Sequence, residues 1–216
     1  MSTRIQIPTH ADPREFWSGG TYELNLSYDT LRDNQWSRLL ESFWSIDGVF
    51  GPYEDRYTPG QAEPARTKIR YPAPTDTYSQ YGIVSVDEVH LGFEVLATRS
   101  IFEGFSVHLP AGMVVTTSAL ENPKVAARVR EAVEDAYRFV ALRMYEAMPF
   151  VIGSFDFNGE CYLVDELAAD AAAREKFFLS GNCFIQDTAL RKLGRDPDNF
   201  EQVANGLRWL PAGRGE

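Results

Sequence analysis

An α+β fold is expected: a mainly antiparallel sheet of five to seven strands, two long amphipathic helices packed on one face, and short C-terminal helices. Three features predict it. Residues 22–28 and 81–109 alternate apolar and polar side chains with period two, as half-buried strands do. Residues 34–45 and 123–147 repeat apolar positions at helical spacing. Beyond residue 190, Gly194, Asp196-Pro197 and Gly206 mark off short segments that read as two helices, 188–193 and 197–205.

Residues 1–20 read as an N-terminal arm, broken by Pro8, Pro13 and Gly19-Gly20. Residues 21–210 read as a single α+β domain and 211–216 as a polar tail. The first strand sets Tyr22, Leu24, Leu26 and Tyr28 on one face. In the helix that follows, Asp29 or Asp33 is available as N-cap and Gly48 is the stop. Its apolar face is Trp36, Leu39, Leu40, Phe43 and Trp44.

Two long loops come next, 47–65 and 72–80, on either side of a short strand in which Arg66, Lys68 and Arg70 alternate with Thr67, Ile69 and Tyr71. Lys and Arg at such spacing suit an edge strand. Loops beyond ~12–15 residues are uncommon and tend to be functional or disordered. Phe50, Tyr53, Tyr57 and Tyr78 make these loops the first candidate surface for a partner.

Within 81–109, Phe93 and Val95 belong on the same side of the sheet as Phe105 and Val107, so the connecting loop must hold an odd number of residues. A three-residue loop at Arg99-Ser100-Ile101 pairs Val95 with Phe105. Glu94 then opposes Ser106, Gly92 opposes His108, and Glu94 and His108 become diagonal neighbours. Asn122 caps the long helix, Pro123 suits its first position, and Pro149 forbids its continuation. Residues 150–157 and 160–164 read as a hairpin around Asn158-Gly159. Asp165 caps a helix running to about Lys176, and a short strand covers 183–186.

The chain of 216 residues is 44% hydrophobic, enough for its own core. Its start lacks the layout of a secretory signal, and no apolar run approaches the ~18–20 residues that span a bilayer. Cys161 and Cys183 are expected as reduced, buried thiols in a soluble cytoplasmic protein. Thirty-one acids against 21 bases give a net charge of −10, which opposes phosphate-backbone binding, so no nucleic acid is expected. Phosphate-loop motifs are absent, His10, His90 and His108 lie far apart, and no C-x-x-C occurs, so neither cofactor nor metal is expected.

Acids cluster between Arg143 and Arg174, where Asp156, Glu160, Asp165, Glu166 and Asp170 meet no base. With the aromatic loops they point to a non-enzymatic protein-interaction module. The charge suits an acidic inhibitor or immunity-type protein that binds a basic partner. Two alternatives stand beside it: a small cofactor-independent enzyme using Glu94, Ser106 and His108 as base and nucleophile, and a structural subunit of a larger assembly.

Overall fold

The computed structural model describes residues 13–86, 89–99, 103–117 and 123–211. Residues 1–12 of the expected arm, Asn122 at the expected cap, Ser100 and Ile101 of the expected loop, and residues 212–216 of the tail lie outside these. The strand β1 (Thr21–Tyr28) sits mid-sheet, with an antiparallel neighbour on either side. On one side run β2 (Val49–Tyr53), β3 (Thr77–Val86), β4 (Val89–Arg99) and β5 (Glu103–Pro110). On the other lie β6 (Ile152–Phe157), β7 (Cys183–Gln186), β8 (Glu201–Ala204) and β9 (Leu207–Leu210). The order is β2-β3-β4-β5-β1-β6-β7-β9-β8, with every pair antiparallel.

Nine strands correct the expected five to seven. Three of the nine sit where the pattern was read otherwise. β2 lies inside the first long loop, β8 takes the second half of the expected helix 197–205, of which one 3-10 turn, Pro197–Asn199, remains, and β9 follows it, where no element was expected. Gly206, at φ 72°, turns β8 into β9, and β9 takes the free edge of β7. That pairing lays Trp209 against Phe184 and Phe155, with ring centroids 4.5 and 5.4 Å apart.

Conversely, 160–164 is no strand. Both edges of β6 are occupied, by β1 and β7, so the chain after Asn158 (φ 51°) crosses the sheet face instead. Ser27 Oγ donates to Tyr162 O at 2.8 Å and Ser154 Oγ to Glu160 O at 3.2 Å, holding it there. Residues 66–71 likewise form only a single bridge, Arg66 to Tyr53.

Helix α1 (Pro13–Phe16) docks on α3 (Ala111–Thr117) so closely that a Cβ at Gly112 would sit 1.9 Å from Glu15 O. Phe16 is buried beneath it. In α2 (Asp33–Trp44) the N-cap is Arg32, whose backbone N–H donates to Gln35 Oε1 at 2.9 Å. Asp33 instead meets Arg99 Nη1 at 2.8 Å. Helix α4 (Pro123–Ala147) shares a sheet face with α2. Trp36, Leu40 and Phe43 from α2, and Val133, Val140 and Met144 from α4, join Leu24, Leu26, Phe93, Phe105 and Val107 in one core. The buried hydroxyl of Tyr137 in α4 donates to Tyr22 O at 2.7 Å, tying helix to β1.

The expected helix from Asp165 breaks in two, α5 (Val164–Ala169) and α6 (Ala171–Ser180). Asp170 causes the break, because its carboxylate accepts from Ala172 N and Ala173 N and so caps α6. With α7 (Asp187–Lys192) these helices cover the opposite face of the C-terminal half, over Ile152, Cys183 and Ile185.

Leu26 is fully buried beside Phe150, Gly153 and Phe105. Leu26→Ala is expected to cost about 2–5 kcal/mol in urea unfolding, and Leu179→Ala, 59% exposed, to stay within ~0.5 kcal/mol. Equal effects of the two changes would contradict this packing.

Candidate functional site

The polar face of the sheet carries the first cluster. Arg99 pairs with Glu103, so three residues separate β4 from β5, and the odd parity stands with a register two residues from the expected one. Val95 therefore opposes Val107, and Leu96 opposes Ser106. Glu94 faces His108 directly rather than diagonally. β1 then adds a residue that local reading missed: Glu23 opposes His108 from the other side, with Nδ1 to Oε1 at 3.8 Å. Asp156 opposes Glu23 in turn.

The row Glu94, His108, Glu23, Asp156 thus spans four strands. Beside it Ser106 Oγ donates to Asn25 Oδ1 at 2.6 Å, and Asn25 Nδ2 to Glu23 Oε2 at 3.4 Å. Ser106 is accordingly committed to Asn25. An imidazole between two carboxylates can hold and pass a proton. The alternation of 22–28 marks Glu23 as polar-facing, but nothing local says which strand it will lie against.

The aromatic loop residues fare differently from one another. Tyr53 and Tyr57 are buried in a small cluster with Ile83. The Tyr53 hydroxyl bonds Glu63, and burial followed by that carboxylate pushes its pKa up to about 12. Tyr78 is half-buried and donates to Gln80 Oε1 at 2.7 Å. Phe50 is 37% exposed, over His90.

Of the acids, Glu160 meets Lys176 at 2.8 Å, a hydrogen-bonded charge that holds its carboxyl below the ordinary range. Asp165 pairs with Lys192, and Asp170 caps α6. Glu166 and Asp156 are exposed.

A cleft of about 620 Å³ lies between the end of β6 and the middle of α4, on the side of the sheet opposite the row that carries Asp156. Glu131 and Glu134 from α4 give it an acidic lining, and Tyr22, Tyr137 and Phe157 supply ring surface. No Lys or Arg lines it among the described residues. Phe157 is 47% exposed and stands edge-on to Tyr22 at 5.3 Å. Carboxylates beside exposed ring faces are the surroundings that a guanidinium or ammonium group prefers.

Elsewhere, several arginines are engaged within the chain. Arg208 is held between Asp187 and Asp198, Arg138 by Glu201 and the Trp209 ring, and Arg195 by Glu175 and the Phe178 ring. Arg56 lies over Trp17 and Tyr81. Among the described residues, no group of three or more His, Cys, Asp or Glu is placed to hold a metal ion. No helix there is long and apolar enough to cross a membrane.

No protein-family model matches the chain, and no curated protein or solved structure matches it.

The cysteines are both free; Cys183 is fully buried, and burial pushes its thiol up to about 12. Cys161 is raised also, chiefly by burial and against a contact with Ser27 Oγ at 3.3 Å. Iodoacetamide at pH 8 is expected to leave Cys183 unmodified in the native protein and to label both in denaturant, as read by mass spectrometry. Rapid native labelling of Cys183 would contradict its enclosure.

Proposed function

We propose that the protein is a non-enzymatic interaction module that binds a basic protein through the acidic, aromatic cleft beside α4. The observation that carries the reading is the lining of that cleft, where Glu131 and Glu134 of α4 stand beside exposed Phe157. Complementary fields raise association rates and disfavour acidic competitors. An inhibitor or immunity-type role is the form of this function that fits the net charge of −10 and the chain's size. That narrower step rests on charge and size alone.

With the chain immobilised, a basic protein from its native cells should be retained at low salt and released as ionic strength rises past ~0.15 M. Glu131→Lys with Glu134→Lys should weaken retention roughly tenfold or more. Retention indifferent to both salt and charge reversal would overturn the reading.

A second reading, a cofactor-independent enzyme, is favoured by one observation, His108 set between Glu94 and Glu23. It expects hydrolysis of small ester substrates to fall at least tenfold in His108→Ala and to follow a bell-shaped pH profile. Activity unchanged in that variant, or none in either protein, would end it.

A further inference from the structure

The far flank of α4 carries a second cleft, of about 370 Å³, opened between the helix, the start of β2 and the end of β3. Its walls are apolar: Val49 and Val84 from the sheet, Ala136 and Val140 from α4. The same four side chains also border an internal apolar void of about 10 Å³ under the helix. Such a space has no polar partners for water, so α4 stands over β2 and β3 with contacts unfilled.

Three side chains rim the opening. Phe139 is 43% exposed, while Asp47 and Asp135 are both exposed and acidic. Beside them, Arg143 lies over the ring of Phe139 at 5.4 Å and pairs with Glu146 at 3.0 Å. The cleft volume falls in the ~300–1,000 Å³ range of sites that accept small ligands or anchor side chains.

We infer that this cleft is a socket for one aromatic anchor residue flanked by Arg or Lys on the basic partner. The inference rests on the basic-partner reading and adds the residue type that the partner must present. Asp47 and Asp135 select the flanking charges, and the valine-lined walls take the ring. Tryptophan, tyrosine and arginine are the residues that most often dominate interface energy, which fits a socket of this make-up.

Capped tripeptides Arg-Trp-Arg, Arg-Gly-Arg and Glu-Trp-Glu, titrated into the full ¹⁵N-labelled chain, test the socket. Arg-Trp-Arg should shift the amides of Asp47, Val49, Ser85, Ala136 and Phe139, and bind roughly tenfold or more tightly than the other two. Ala132→Phe, which crowds the cleft from α4, should abolish that preference while the remaining spectrum stays native. Asp135→Lys, a surface change, should weaken Arg-Trp-Arg and favour Glu-Trp-Glu.

Arg-Gly-Arg binding as well as Arg-Trp-Arg would overturn the socket. So would shifts confined to Glu131, Glu134 and Phe157, although the basic-partner reading would survive them. Socket shifts that grow with protein concentration in the absence of peptide would assign the cleft to a second copy and overturn the inference. No binding of any peptide would count against the socket and the basic-partner reading together.

Discussion

Every other contact in this molecule depends on β1 being gripped on both edges. Its partners, β5 and β6, come from opposite halves of the chain: β2 to β5 form an antiparallel meander, while in the second half β9, not β8, pairs with β7. Leu24 and Leu26 then carry the seam between the halves on the core face, while Glu23, Asn25 and Ser27 carry it on the polar face. Distant pairings of this kind are costly in loop entropy, so they are held by what packs over them. Here Tyr137 bonds the backbone of β1, and Ser27 anchors the returning segment at Tyr162.

The same packing shapes the electrostatic surface. Arginines spend their charge inward, on ring faces and local carboxylates, as Arg99 does between Asp33, Glu103 and the ring of Trp36. Glu103 in turn accepts from Trp36 Nε1 at 2.5 Å. Acids such as Asp47, Glu131, Asp135 and Asp156 face water. A guanidinium over an aromatic ring is partly screened by the protein, whereas an exposed carboxylate projects its field to about a Debye length of ~8 Å.

Two Asn-Gly pairs show where local reading stops. Asn158-Gly159 and Asn205-Gly206 carry the same hairpin signal. Only the second becomes a hairpin, because β8 and β9 have an edge to join and the residues after Asn158 have none. The register of β4 against β5 makes a related point. Side-chain alternation settled the parity, since a one-residue slip would bury His108, but a two-residue slip keeps every face intact. Glu94 consequently meets His108 head-on, a pairing that no periodicity could choose. Glu131 was invisible for another reason: on a helix face polar residues are expected, and only the end of β6 turns that one into the wall of a cleft.

What the sequence determined by itself is whatever depends on neighbours within a turn or a pleat: the faces of β1, β4 and β5, the helical stripes of α2 and α4, and the stop at Pro149. Only the tertiary structure decided which edges were free, and so the number of strands, the crossing of 158–163, and the acids that share a cleft. The reason is physical. Periodicity records which side of an element is apolar, while edge occupancy and cleft walls arise from partners far outside any single turn or pleat, on which local propensity has no purchase.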